Sequence, residues 1–450
     1  MRSVIFLLLL ATGLAVGPAC RRAPQPVSYA MPAARINWVV DRMQRLMRQD
    51  VTNPPLAARF YAYAMLAGYE VLAQSDSALV SMHGRLRDYP RLARPARRCQ
   101  APQLAALFAM LHTAGKLQPS GTQLAAAVTA LGDSCRRSGV PEEVVAEAQA
   151  YGQQVGTALL AYAKQDGYNR ISNYPRYTPT AGRAYWSPTP PAFFGAVEPY
   201  FNRVRPFVLT SAAQFRPVPP TAFDSLPGSG FAGLMREVYQ TSRTLTAEQR
   251  TIAAFWDCNP FALREDGHLR LGLKKMSPGG HWMAIAGTAC RQRNTAFAQT
   301  LQIHAVLAVV LTDAFICCWD EKYRSNRIRP ETVIRRYVDP TWKPLLQTPP
   351  FPEYLSGHSV ISTAAAEVLT RYFGPDFAYA DATEQSYGLP TRRFTSFRQA
   401  AAEAAISRLY GGIHFRDAIE RGQQAGLAYA TWALPRLLDH RADVAAAPAP

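Results

Sequence analysis

The sequence contains no C-x-x-C and no H-E-x-x-H pattern, so no motif supports a zinc site. Strand-like alternation of apolar and polar residues is scarce throughout, which argues against a sheet-built protein. After the first twenty residues there is no uncharged apolar run of the ~18 residues that a membrane span requires. The nearest run, Ile303 to Trp319, carries His304 and Asp313 and reads as a buried helix of a soluble protein. Acidic residues are outnumbered, 32 against 49 Lys and Arg, giving a net charge of +17. That balance favours anionic partners such as phosphate esters, oxyanions or an acidic membrane surface. The cations are spread along the chain, however, with no dense basic run interleaved with aromatics, so nucleic acid is not an expected partner. A literal G-x-G-x-x-G occurs at Gly228 to Gly233, but no strand precedes it and helical text surrounds it. It reads as a turn before a helix near Leu234, not as a dinucleotide site.

The first residues, MRSVIFLLLLATGLAVGPAC, pair a short basic start with an apolar core and small residues. Residues 1–20 therefore read as a secretory leader, which implies a periplasmic or envelope-anchored protein. Cys20 is a candidate lipid-anchor cysteine, although Gly17 and Pro18 depart from that signal. Six further cysteines follow, at 99, 135, 258, 290, 317 and 318. Export permits disulfides, but sequence does not pair them, and the adjacent Cys317 and Cys318 suit buried free thiols equally well.

From Ala34 the text is helical. INWVVDRMQRLMRQD and PPLAARFYAYAMLAGYEVLAQS space their apolar residues by three and four, and three more helices fit between Ala101 and Gln165. A Pro-rich aromatic stretch from Tyr174 to Pro227 forbids regular helix and reads as an extended crossover. Helical text resumes at Phe231 and runs to about His440. The expected fold is all-α: an N-terminal helical region over 34–230, including the crossover, and a catalytic helical region over 231–440. Oligomerisation is left open.

Three short stretches in the second region share one chemical theme. CWDEKYRSNRIRP places Lys322 and Arg329 seven residues apart and closes with Pro330. On a helix that spacing returns both cations to nearly one face. FPEYLSGHSVIS sets Ser356, Gly357 and His358 at a predicted helix N-terminus, where unpaired N–H groups suit an oxyanion. In AAISRLYGGIHFRDAIERG, Arg408 ends one helix, Gly411 and Gly412 break it, and His414 opens another. Asp417, one turn on, is placed to orient that imidazole. Taken singly, each stretch also suits a solvated face or an ordinary cap.

The order K-x6-RP, S-G-H, SR-x5-H resembles the superfamily of type-2 phosphatidic acid phosphatases, bacterial acid phosphatases and vanadium-dependent haloperoxidases. FWDCNPF at 255–261 and PGGHW at 278–282 are similar to its soluble haloperoxidase-related branch. The resemblance implies a helical bundle of the haloperoxidase and acid-phosphatase type. It implies that Lys322, Arg329 and Arg408 neutralise the oxygens of vanadate or phosphate, assisted by Ser356 and the Gly357 N–H. His414 would be the axial vanadium ligand or the phosphoryl acceptor, and His358 the general acid–base. The chain departs from the phosphatase pattern at Leu355, where Pro is usual, and at Asp417, one residue closer to His414 than the usual Asp.

Two aromatics separate the activities. Trp319 lies three residues before Lys322 and Phe351 five before Ser356, as in fungal chloroperoxidases, where such rings flank the halide. An apolar wall desolvates a halide; a phosphatase has less need of one. The first expectation is therefore vanadate-dependent halide oxidation by hydrogen peroxide. The alternative is an exported, cofactor-free phosphatase acting on phosphate esters.

Overall fold

The computed structural model describes residues 29–438, apart from 77–78, 94, 96–97 and 267–268. The leader and Cys20 lie outside the described residues. Among these, fourteen helices and four short strands alternate with long irregular stretches. The N-terminal helices are α1 (Ala34–Gln49), α2 (Pro54–Ala73), α3 (Pro102–Leu117), α4 (Ala125–Arg137), α5 (Glu142–Lys164) and the single turn α6 (Tyr168–Ile171). After the crossover come α7 (Gly230–Thr244), α8 (Ala247–Phe255), hairpin β1 (Leu263–Asp266) and β2 (Leu269–Gly272), α9 (Pro278–Gln292) and α10 (Phe297–Ser325). The rest is α11 (Pro330–Tyr337), α12 (Gly357–Phe373), hairpin β3 (Tyr379–Asp381) and β4 (Arg392–Phe394), α13 (Phe397–Tyr410) and α14 (Arg416–Leu438). The fold is the all-α bundle that the sequence pattern predicts, and both hairpins are antiparallel.

Local chemistry sets the helix starts. Asn53 accepts the Leu56 N–H at 3.0 Å, with Pro54 and Pro55 in the first turn, where a missing N–H costs nothing. Thr246 and Gln249 form a reciprocal capping box on α8. Ser229 caps α7 by accepting the Ala232 N–H. The glycine-rich stretch therefore enters the helix at Gly230, four residues before the expected start, because a serine cap outweighs glycine's poor propensity.

Helix α10 is the axis. By length and composition it could cross a membrane, yet 94% of its most apolar window is buried within the protein. It packs against α2 on one side and α12 on the other. One continuous apolar core accordingly runs from Ile36 in α1 to Leu437 in α14 and joins the two helical regions. Cys99, Cys135, Cys258, Cys290, Cys317 and Cys318 are all free thiols.

The Pro-rich crossover lacks regular structure but is tightly tied. Buried Asp313 of α10 accepts the N–H groups of Phe207 and Val208, each at 2.7 Å, and of Leu209 at 3.1 Å. Burial pushes its carboxyl pKa up to about 6, against the pull of those three donors. Its oxygens satisfy backbone donors that no helix or strand can satisfy in an extended segment. In Asp313→Asn an amide NH2 would face some of those N–H groups. We expect a loss of about 3 kcal/mol in denaturant-unfolding stability at neutral pH, with the helical content retained.

Candidate active site

Lys322 occupies the last turn of α10. The helix stops at Asn326, which adopts a left-handed conformation (φ 47°) and closes the end through its N–H to the Lys322 carbonyl. Arg329 then lies on extended chain as the cap residue before Pro330 opens α11. The two cations thus meet because a helix ends between them, not because a continuous helix repeats its face. Lys322 Nζ and the Arg329 guanidinium lie 5.0 and 5.1 Å from the centre of the Phe351 ring.

Both cations are fully buried, and main-chain carbonyls hold them. Lys322 Nζ donates to the carbonyls of Pro352 (3.0 Å), Glu353 (3.1 Å) and Leu355 (2.5 Å). Burial lowers its pKa to about 7; Arg329 adds to the drop, while Cys318 and Glu353 oppose it. Arg329 donates through Nε to Phe351 O (2.8 Å) and through Nη1 to Ile413 O (2.9 Å). Arg408, in the last turn of α13, donates through Nη1 to Trp256 O (2.6 Å).

His414 sits between α13 and α14 on the turn made by Gly411 and Gly412, the latter at φ 75°. Arg329 Nη1 lies 3.2 Å from its Nε2. A guanidinium only donates, so Nε2 accepts and Nδ1 carries the hydrogen. That hydrogen goes to Glu353 Oε1 at 2.9 Å, which also accepts the Phe415 N–H. Burial and the charges of Arg329, Lys322 and Arg408 hold His414 well below the usual histidine pKa, hence neutral.

Asp417 does not perform the orienting role expected of it. His414 precedes α14, so helical spacing does not bring the two side chains together. Asp417 instead binds Arg327 Nη1 (2.7 Å) and accepts the Thr221 N–H of the crossover (3.2 Å). Arg327 in turn lies 3.4 Å from Glu353 Oε2. Neither Glu353 nor Arg327 carries a sequence signature of its place in the site. Glu353 stands on an extended turn without periodicity, and no spacing links it to a histidine 61 residues away.

Ser356 caps α12. Its Oγ accepts from the N–H and the hydroxyl of Ser359, leaving its own hydrogen to donate. Helix α14 approaches this cap closely: a Cβ at Gly422 would stand 2.8 Å from Ser359 Cβ and 3.0 Å from Ser356 O. A Cβ at Gly357 would project beside Trp319 (3.8 Å) and Lys322 (4.0 Å).

Gly357, His358, Arg408 and His414 line a small pocket of about 30 Å³, walled by Trp319 and Phe351, whose rings are 4.9 Å apart. Around it, Arg329 Nη2, Arg408 Nε and His358 Nε2 are buried without a hydrogen-bond partner. Three such nitrogens converging on one pocket beside His414 mark a place for a ligand. Two guanidinium N–H groups, a free serine hydroxyl hydrogen and an imidazole lone pair at His414 Nε2 form a donor set suited to an oxyanion with one nitrogen-ligated centre. The residues present therefore fit vanadate. The described site brings together all the predicted residues except Asp417, which acts one contact further out.

Residues 302–443 match the family model for the VCPO second helical-bundle domain. No curated protein matches the chain. Among solved structures, a bacterial vanadium-dependent iodoperoxidase is similar at 41% identity and TM-score 0.85, over 92% of this chain and 97% of that one. Holo and apo forms of a bacterial vanadium-dependent chloroperoxidase share the fold at TM-score 0.63, with 16% and 17% identity. Each covers 86% of this chain, and 93% and 95% of their own chains are covered in turn. With this agreement along nearly its whole length, the chain belongs to the vanadium-dependent haloperoxidase family.

Proposed function

We propose that this enzyme oxidises halide, iodide foremost, with hydrogen peroxide at a vanadate held in the pocket beside His414. The observation that carries the proposal is the set of three unpartnered buried nitrogens around a histidine whose tautomer puts the lone pair on Nε2, where only Arg329 Nη1 now meets it. Iodide is suggested by the 41% identical iodoperoxidase. Vanadate, when bound, supplies Lewis-acid activation of peroxide without changing its own oxidation state.

The protein's residues do the rest. Arg329 and Arg408 place permanent positive charge and N–H donors around the anion, and Lys322 adds a titratable one. The Ser356 hydroxyl and the Gly357 N–H complete the hydrogen bonding at the start of α12. Glu353 fixes the imidazole of His414 through Nδ1. His358, whose imidazole is kept neutral by burial and the neighbouring Arg408 charge, is the group placed to accept and return a proton. Trp319 and Phe351 shed water from the halide side. The leader-like residues 1–20 favour export, and Cys20 offers a lipid anchor.

Three outcomes test this reading. His414→Ala should lose peroxide-dependent iodide oxidation and vanadate binding by at least ~100-fold, read by activity and by vanadium content after gel filtration. Retained activity, or vanadate-inhibited hydrolysis of an aryl phosphate without halide oxidation, would overturn it. Glu353→Gln should keep the fold and weaken vanadate affinity about 10–100-fold, because an amide holds the imidazole less firmly. The third concerns pH. Lys322 carries its charge below its pKa of about 7 and loses it above. Vanadate affinity, measured calorimetrically, should therefore fall more steeply as pH rises through 7 in the wild type than in Lys322→Gln, whose profile lacks that component.

A further inference from the structure

Behind Arg408 lies a second cluster, outside the oxyanion pocket's donor set. Cys258, His281 and Glu384 are all buried, and their ligand atoms lie within 4.8 Å of one another. They come from three separate segments: the turn after α8, the first turn of α9, and the loop after β3.

The hydrogen bonding of His281 fixes the hydrogen on its Nε2. Its Nε2 lies 2.8 Å from Asp381 Oδ2 and 2.7 Å from Thr383 Oγ1. Thr383 gives its own hydrogen to Asp381 Oδ1 at 2.6 Å. Both neighbours of Nε2 are therefore acceptors, and Nε2 carries the hydrogen. Burial pulls the imidazole pKa down, but Asp381 and Cys258 hold it well above the usual histidine value, so in the metal-free protein Nδ1 also carries a hydrogen and faces Cys258 Sγ (3.4 Å) and Glu384 Oε1 (3.8 Å). A divalent cation can take the place of the Nδ1 hydrogen and face the nitrogen, the sulfur and the carboxylate together.

The spacings suit such an ion. Tetrahedral zinc with sulfur at ~2.3 Å and nitrogen or oxygen at ~2.1 Å sets its ligand atoms about 3.5 Å apart. The 3.4 and 3.8 Å separations bracket that edge. Asp381 on Nε2–H is the outer carboxylate that commonly orients a zinc-bound imidazole. We propose that Cys258, His281 Nδ1 and Glu384 bind a structural Zn2+, with solvent as the fourth ligand and Asp381 as the group that orients His281. On binding, the Cys258 thiol and His281 Nδ1 each release a proton to solvent, so thiolate and carboxylate together balance the metal's two charges. A mixed sulfur, nitrogen and oxygen set favours zinc over calcium or magnesium.

The position gives the metal a job. The His281 ring stacks on Trp256 at 4.7 Å, and the Trp256 carbonyl holds Arg408. Cys258 itself lines the oxyanion pocket. A metal here would pin the turn that presents Trp256, and through it Arg408, while tying α9 to the β3 loop.

The test uses vanadate-free full-length mature protein, so it does not depend on the haloperoxidase reading. Elemental analysis should find about one zinc per chain, with vanadium counted separately. After chelator treatment, Co2+ should restore a thiolate-to-cobalt charge-transfer band in the near ultraviolet, lost in Cys258→Ser. Glu384→Gln, which keeps the thiol, should retain the band but weaken zinc binding at least tenfold. Zinc well below one per chain, with no Co2+ band and no rise in thermal midpoint on adding Zn2+ to the stripped protein, would overturn the proposal. So would rapid alkylation of Cys258 in protein as purified, since that would identify a free thiolate paired with imidazolium. These readouts on the unmutated protein hold even if a variant fails to fold.

Discussion

The organising constraint is the burial of positive charge. Lys322, Arg329 and Arg408 are essentially inaccessible to solvent and share one small volume with two histidines. Removing such charges from water costs several kcal/mol per ion unless the protein answers it. The answer is chiefly main-chain carbonyl oxygen. The turn from Phe351 to Leu355 turns four carbonyls onto Lys322 and Arg329, and the carbonyls of Ile413 and Trp256 take the remaining donors described. Carbonyl dipoles steady a cation without neutralising it. The single carboxylate in the inner ring, Glu353, is spent on His414. The pocket therefore keeps a net positive field and attracts an anion, which no neutralised cluster would do.

That arrangement explains why the surroundings are rigid. The carbonyls point inward only while the extended turn of residues 351–355 keeps its path between α10 and α12. Asp417 secures the outer layer through Arg327, and the close approach of α14 at Gly422 secures the Ser356 cap. The N-terminal helices supply no residue to the oxyanion ring except Pro54 on the pocket wall. Their contribution is mass behind α10, whose opposite face they cover.

Much of this was legible in the chain. The helices declared themselves by apolar spacing, and the three cation-bearing stretches by residue types that seldom recur together without an anion to hold. What escaped was whatever depends on irregular backbone. Glu353 belongs to a proline-flanked extended turn, where no period connects a side chain to its target. Asp417 misled because three residues signify one helical turn only inside a helix, and His414 lies outside it. The absence of C-x-x-C spacing concealed the Cys258, His281 and Glu384 cluster for a similar reason: its members are brought together by tertiary folding across more than a hundred residues.

The packing of α2 against α10 has a bearing on modularity. The segment matched by the family model begins at residue 302, within α10. It holds the oxyanion-binding residues, yet excised it would lose the first turn of α10 and uncover the apolar face that α2 buries. It would also leave Asp313 facing a crossover that is no longer present. The chemistry is thus local in sequence, but the element that carries it is not a portable unit. Swapping the catalytic half between relatives would require the α2 face to travel with it.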